Sequence, residues 1–297
     1  MKLSIITINY NNAEGLKKTM KSVISQSSLD FEYIIIDGGS TDSSCNVISD
    51  LFLLDSVQKN GNLKVNGIST KWISEKDEGI YDAMNKGIKL AKGEYVQFIN
   101  SSDFFVNDTV VSRMLLELKQ YKLINDLNID ILYGNMLKMI SGKIKKDCSF
   151  KGNEITFLDM YNATLNHSPV FIKKSLFDIY GLYDSSLKIV SDWKWYTQAI
   201  ILGGIKPIYV DIDVIYFDMT GISSVNLEMT ENEKQSELKK MFPELILKDY
   251  ERWSFPIEQF KRLERYKWAY KFVWYLERTL FKYEKFVNQK QNFKVKY

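Results

Sequence analysis

Three polar clusters near the start of the chain carry oxygen-rich side chains at spacings that could do chemistry. Asp37-Gly38-Gly39-Ser40-Thr41-Asp42 offers an aspartate able to accept a hydrogen bond from a base or ribose, beside glycines that let backbone approach a ligand. Ser74-Glu75-Lys76-Asp77-Glu78-Gly79-Ile80-Tyr81-Asp82 sets carboxylates around a helix start. Lys86 follows Asp82 at a helical pairing distance, and Asn85 shares that polar face. Asn100-Ser101-Ser102-Asp103 offers a carboxylate that could hold a divalent ion against a diphosphate, because hard ions take oxygen ligands and often keep waters. Plainer readings stand beside the first two: a strand–helix turn capped by Asp42, and an acidic first turn that complements the helix dipole.

The surrounding elements give these clusters a reason to meet. Leu3 to Ile8 reads as a short buried strand, followed by a polar turn and a helix with Leu16, Met20, Val23 and Ile24 at helical spacing. Glu32 to Ile36 is a second strand, and Ser40-Thr41-Asp42 starts a helix that continues over Cys45 to Leu54. Lys71 to Ser74 is a third strand, Gly79 to Ala91 a helix stopped by Gly93, and Tyr95 to Ile99 a fourth strand. Buried strands alternating with helices predict an α/β fold, a mostly parallel sheet with helices on both faces. Ligands of such sheets bind beyond the carboxyl ends of the strands. Asn9, Tyr10, Asp37, Gly38, Glu75, Asp77, Asn100 and Asp103 are therefore expected around one crevice. The second half predicts strands at Asp130 to Tyr133, Pro169 to Ile172, Ile208 to Val210 and Val214 to Phe217, and a helix over Ser191 to Leu202.

Composition narrows the function classes. The 297 residues suffice for one large α/β domain with an appendage. One histidine, His167, and two distant cysteines, Cys45 and Cys148, cannot supply the roughly four ligands of a structural zinc site. Few cysteines fit a reducing compartment. No stretch reaches the ~20 apolar residues of a membrane span, and the N-terminus lacks the features of a signal peptide. A cytoplasmic protein is expected, with contact only at the inner surface of the plasma membrane. The first strand leads into Asn9-Tyr10-Asn11-Asn12-Ala13-Glu14-Gly15, which is no GxGxxG dinucleotide fingerprint and no basic phosphate loop of a nucleotidyltransferase.

Taken in order, these motifs resemble the inverting glycosyltransferases of family 2, which have the GT-A fold and include bacterial capsule, exopolysaccharide and O-antigen enzymes. The run from Glu75 to Asp103 carries most of the likeness, with Phe31 to Asp42, Leu3 to Asn12 and Asn166 to Tyr196 as further matches. The resemblance covers about residues 1–225. It implies a GT-A domain with a nucleotide-sugar-binding half over 1–105 and an acceptor-binding half over 106–225, then a helical extension over 226–297. It implies transfer of a sugar from a nucleotide-diphosphate sugar, a UDP-sugar in this reading, to a hydroxyl of a polysaccharide precursor carried on a lipid. Residue by residue, Asp37 resembles the acid that contacts the base, and Thr7, Asn9 and Tyr10 the nucleoside loop. Asp77, with Asn85, Lys86 and Asn100, falls near the donor. Asp192 resembles the catalytic base, with a helix N-cap as its plainer reading. His167 and Trp193 fall on the acceptor or diphosphate side, and the Gly221-Ile222-Ser223-Ser224 loop near the diphosphate. Asp103 resembles the surviving acid of a motif for Mg2+ or Mn2+, while Asn100 and Ser102 stand where acids are usual. A glycosyltransferase-like subunit without turnover is the alternative that this thinned motif keeps open.

The end of the chain differs from its body. Residues 257–297 hold eleven Lys/Arg and four Asp/Glu, against 29 basic and 33 acidic residues elsewhere. Over 253–297, aromatics alternate with bases at helical spacing, as in helices that lie in a membrane interface or that bury their rings against protein. No nucleic-acid recognition motif accompanies them. A homodimer is left open.

Overall fold

A computed structural model describes residues 1–125, 128–140, 143–150, 152, 154–219, 226–264 and 266–294. The first half runs β1 (Leu3–Asn9), α1 (Ala13–Ile24), β2 (Phe31–Asp37), α2 (Ser44–Leu51), β3 (Asn60–Val65), β4 (Ile68–Ser74), α3 (Ile80–Leu90) and β5 (Tyr95–Phe98). The second half adds β6 (Phe104–Phe105), α4 (Val110–Asn125), β7 (Ile131–Ile140), β8 (Lys143–Asp147), α5 (Phe157–Asn162), β9 (Val170–Lys173) and α6 (Leu176–Tyr180). It continues with α7 (Ser191–Tyr196), β10 (Ile208–Phe217), α8 (Leu227–Met241), α9 (Glu244–Glu264) and α10 (Lys267–Lys294).

Every residue of β1 and β2 is buried, as expected of β-branched and apolar strands covered on both faces. The strand order is β3-β4-β2-β1-β5-β9-β7-β10-β6, with β8 on β7. Pairing is parallel among β4, β2, β1 and β5, and again between β7 and β10. It is antiparallel at β3–β4, β5–β9, β7–β9, β7–β8 and β6–β10. The α/β class holds, and parallel pairing is concentrated in the first half. β1 lies between β2 and β5, so the order reverses there and opens a crevice at the carboxyl ends. One face of the sheet packs Leu3, Ile5, Tyr33 and Ile35 against Leu16, Met20 and Val23 of α1. On the other, Gly87 lets α3 approach β1: a Cβ there would lie 2.5 Å from Ile6 Cγ2.

Three expectations change. β3 and β8 carry polar or lysine-rich edge sequences that no apolar run signals, and lysine on an edge strand guards it against pairing. Ile208–Phe217 is one strand instead of two. Its register shifts against β7 around Asp213, and Asn135 Nδ2 donates to Asp211 Oδ1 at 2.8 Å and to Asp213 Oδ1 at 2.9 Å, so the acids stay in the ladder. The helix from Ser191 is α-helical only to Tyr196, and Thr197–Leu202 is π-helical.

Two compact units are present, Met1–Leu238 and Lys239–Tyr297. Glu233 and Glu237 of α8 bond to residues 188–194 and so join the first unit. In the second unit, Trp253, Phe255, Tyr266, Trp268, Phe272, Tyr275, Phe281 and Tyr283 are exposed, and Arg278 lies 4.0 Å from the Trp274 ring centroid. Among the described residues no helix is long and apolar enough to cross a membrane.

Candidate active site

The carboxyl ends of β1, β2, β4 and β5 open into a cleft of about 810 Å³, closed on its other side by residues around 167, 188–192 and 217–218. Asn9, Tyr10, Gly38, Asp77, Asn100, Asp103, His167 and Asp192 all line it. Six of the eight residues expected from separate strand ends thus share one cavity, whereas Asp37 and Glu75 are absent from its lining.

The wall at β1 and β2 is built by hydrogen bonds to a buried carboxylate. Asp37 is fully buried and does not line the cleft. Its Oδ1 accepts from Asn9 Nδ2 at 2.7 Å and Ser40 Oγ at 2.5 Å. Its Oδ2 accepts from the Ser40 amide at 3.0 Å and Ser74 Oγ at 2.6 Å. The expected direct contact between Asp37 and a base is therefore replaced by an organising role, because both oxygens are already committed inside the turn. Gly38 faces the cleft instead. A Cβ on it would lie 3.0 Å from Asp77 Oδ2 and 3.3 Å from the Tyr10 ring, a tight contact that the Asp77 and Tyr10 side chains would have to yield to. Tyr10 is 67% exposed and offers a ring face at the mouth. Thr7 is buried within the sheet, accepting from Tyr33 Oη at 3.0 Å, and is absent from the lining.

At α3, Lys86 forms ion pairs with Asp77, with Glu75 at 3.1 Å and with Asp82 at 3.4 Å. Burial alone would lower the Lys86 pKa, but its hydrogen bonds to Asp77 and Glu75 outweigh that and raise it. Burial raises the Asp77 carboxyl, with Lys86 opposing and the charges of Asp82 and Glu75 adding to the rise. Lys86 thus positions Asp77 from behind and does not line the cleft. Asn85 also turns away. Its Nδ2 donates to the Tyr183 carbonyl at 2.8 Å and its Oδ1 accepts the Tyr183 amide at 3.0 Å, which fixes the segment leading to residue 188.

After β5, Asp103 is 2% exposed. Ser168 Oγ donates to its Oδ2 at 2.9 Å and the Asp218 amide to its Oδ1 at 2.9 Å. Burial pushes its pKa up to about 7, against those two hydrogen bonds and Lys18, with the Asp218 charge assisting. Ser102 has φ 86° and faces α1, where its Oγ accepts from Asn12 Nδ2 at 3.0 Å. An acid at position 102 would therefore not reach the cleft in this backbone. Among the described residues no three His, Cys, Asp or Glu side chains gather as a metal cluster. The cleft does bring together two carboxylates, Asp103 and Asp218, and Asn100, whose buried Oδ1 has no hydrogen-bond partner. That set of hard oxygen donors fits a divalent cation completed by ligand oxygens and water.

Opposite, Asp192 sits in the first turn of α7, with Val190 at the N-cap. Its Oδ1 accepts from the Trp193 amide at 2.9 Å and from Tyr81 Oη at 2.9 Å. Tyr81 Oη also bonds to the Ile189 carbonyl. Asp192 Oδ2 lies 3.6 Å from His167 Nδ1, longer than a hydrogen bond, and has no hydrogen-bond donor on it among the described residues. Burial lowers the His167 pKa, with Asp192 opposing, which favours neutral imidazole. Asn100 Nδ2 lies 3.0 Å from Nε2; with Nε2 as acceptor, the ring proton sits on Nδ1, toward Asp192. Trp193 is buried, its Nε1 donating to the Met160 carbonyl at 2.7 Å, so it supports the helix and does not reach the cleft.

The loop before Asp192 is held from α8. Glu233 accepts from the amides of Lys188 at 2.8 Å, Ile189 at 2.9 Å and Val190 at 3.3 Å. Three successive amides converging on one carboxylate form a nest. Lys194 pairs with Glu237 at 2.8 Å and Asp184 at 2.7 Å. Sequence reading overlooked Tyr81, Lys188, Asp218 and Glu233. Asp218 directly follows β10 and could have been found by the same strand-end rule, whereas Glu233 gives no local signal. The Gly221-Ile222-Ser223-Ser224 loop lies outside the described residues.

Comparisons with known proteins agree with this fold. A staphylococcal protein, TarS of S. aureus (residues 1–349), superposes with a TM-score of 0.56 at 19% identity in a complex with UDP, covering 73% of this chain and 60% of that one. Its complex with UDP-GlcNAc gives 0.54 over 73% and 58%. The mannosyltransferase PcManGT of Pyrobaculum calidifontis, solved with GDP-Man and Mn2+, gives 0.52 at 14% identity over 73% and 56%. The match thus spans less than two thirds of those structures. In sequence, an uncharacterised glycosyltransferase of Mycobacterium tuberculosis is 30% identical over 228 residues, 75% of this chain and 77% of the relative. A PGL/p-HBAD biosynthesis glycosyltransferase of the same species is 24% identical over 226 residues, 74% and 78%. The family model described as glycosyl transferase family 2 matches residues 4–168, more than half the chain, and the protein belongs to that family.

Proposed function

We propose that this glycosyltransferase moves a hexosyl group, with inversion, from a nucleotide-diphosphate sugar to a hydroxyl of a polysaccharide precursor, lipid-linked in this reading. One observation carries it: Asp192 shares a cleft with Tyr10, Gly38, Asp77 and Asp103, although these residues come from five separate segments. The nucleoside would lie between Tyr10 and Asp77, with Asp37 and Asn9 holding the turn beneath it. UDP and UDP-GlcNAc in the staphylococcal complexes favour a uridine donor, and GDP-Man in the archaeal one keeps the base open to test.

A proton path follows from this reading. Asp192 Oδ1 is occupied by Trp193 and Tyr81, which leaves Oδ2 to face the acceptor. Oδ2 takes the hydroxyl proton as the acceptor oxygen forms its bond to the anomeric carbon. The bond from that carbon to the phosphate oxygen breaks on the opposite face, and the nucleoside diphosphate leaves with the electron pair. His167, neutral beside Asp192, orients the base and offers its Nδ1 proton to the same region. Asp103, Asp218 and Asn100 Oδ1 would hold Mg2+ or Mn2+, whose charge would offset that of the departing diphosphate. The N-terminus of α3 at Gly79, which also lines the cleft, adds amide dipoles of the same sign.

Released UDP, measured over a panel of UDP-sugars with and without acceptor extract, tests the reaction. Asp192→Asn is expected to lower turnover by about 10²–10⁴-fold with UDP affinity retained. Full turnover in that variant would eliminate the assignment. We also place the protein at the inner membrane surface through residues 253–297; over 253–283 exposed rings are interleaved with bases. Flotation with phosphatidylglycerol vesicles should be lost on truncation after Tyr250; equal flotation of both chains rejects the contact.

A further inference from the structure

A second groove, of about 1110 Å³, opens along α1 and meets the cleft at Asn12, Phe217 and Asp218, which line both. Its wall carries Lys17, Lys18 and Lys21. Its floor carries Phe104 and Tyr216, whose rings stack with centroids 5.0 Å apart and planes 25° apart. Lys18 Nζ lies 3.9 Å from the Phe104 centroid. Among the described residues none of these lysines has an ion-pair partner, although Lys86, Lys138, Lys146, Lys173 and Lys194 all do. The acids of the lining, Glu14 and Asp218, are at the first turn of α1 and at the border with the cleft. From Glu14 the helix carries the wall onward, and Lys21 lies about 10 Å further along the axis.

A row of unpaired cations over flat rings, in a recess that runs outward from a reaction centre, suits an extended anionic chain. The donor's diphosphate does not need it, because the proposed reading already seats that group in the cleft lined by Asp103 and Gly79. A bilayer headgroup layer suits it less, because Phe104 and Tyr216 are half-buried and stacked on each other instead of standing exposed. We propose that the groove receives an acidic stretch of the acceptor glycan, with phosphate or carboxylate groups on Lys17, Lys18 and Lys21 and its sugar rings passing beside the stacked Phe104–Tyr216 pair. The inference rests on the glycosyltransferase reading and adds the charge of its acceptor. Lys18, next to the cleft, is left unchanged in the test.

The experiment titrates the full chain and its Lys17→Gln/Lys21→Gln variant by calorimetry. The probes are oligo(glycerol phosphate), oligogalacturonate and neutral malto-oligosaccharide, with UDP titrated in parallel. At least one acidic oligomer should bind about tenfold more tightly than the neutral one, and more weakly at high salt. The variant should lose about tenfold of that affinity, with UDP affinity and Tm unchanged. The phosphate and carboxylate arms then identify the acidic group. Acidic oligomers that bind no better than the neutral one, or equally to both proteins, overturn the proposal. So does a parallel loss of UDP affinity, which would assign the lysines to the donor. Dependence on these lysines seen only with phosphatidylglycerol vesicles would assign them to the membrane and overturn it too. Wild-type protein that binds neither UDP nor GDP would instead strike at the nucleotide-sugar reading, independently of the oligomer result.

Discussion

The two sides of the cleft are held in place by different means. On the side proposed for the donor, Asn9, Gly38 and Asp77 lie at the ends of parallel strands, and a buried carboxylate with four donors locks the turn between them. On the side proposed for the acceptor, Lys188, Ile189 and Asp192 belong to a loop and a short helix, and α8 holds them through Glu233 and Glu237. The first arrangement comes from elements adjacent in sequence and in the sheet. The second depends on a helix that arrives some forty residues later. A loop clamped from outside can change without disturbing the strand ends, so on the proposed reading the acceptor wall could vary while the nucleotide wall stays fixed.

That contrast can be broken by substitution. Asp37→Ala should be the most severe change, since it strands four donors beneath the nucleoside wall. A loss of about 4 kcal/mol in unfolding free energy and of UDP binding is expected. Unchanged UDP affinity would mean that the turn holds itself. Asp103 comes next, through pH. Its folded-state pKa of about 7 exceeds the ordinary 3.8, so the folded protein holds an extra proton between those values. Its contribution therefore falls as pH rises from about 4 to 7 and stays low above that. With chelator present, denaturant unfolding should show wild type losing up to ~4 kcal/mol between pH 4 and 8 relative to Asp103→Asn. Parallel curves would refute the burial argument. Glu233→Gln should be the mildest, with kcat down about tenfold and UDP affinity intact. A matching loss of UDP affinity would show that the two sides are mechanically coupled.

Legibility in the sequence followed the same division. β1, β2 and β5 were readable because strands covered on both faces must be continuously apolar, and the strand-end rule then located the cleft. Which way a polar side chain points was not readable. Thr7, Asp37, Asn85, Lys86 and Trp193 were all expected at the ligand, yet each is satisfied by protein partners and is itself absent from the lining. Their spacing matched the motif, but orientation depends on partners from other elements. Tyr81 was hidden for the same reason, since its link to Asp192 exists only after the second half folds back over α3. The edge strands β3 and β8 were invisible because solvent on one side removes the apolar signal.

Tyr81 has a single hydroxyl hydrogen and two oxygen neighbours, one on the Asp192 side chain and one on the Ile189 peptide. It can satisfy only one of them fully at a time. While the carboxylate is charged, the phenol has reason to favour it; once that group has gained a proton, the peptide becomes the better acceptor. The ring therefore registers the state of its neighbour by the direction of one O–H bond, and the backbone of the loop feels the difference.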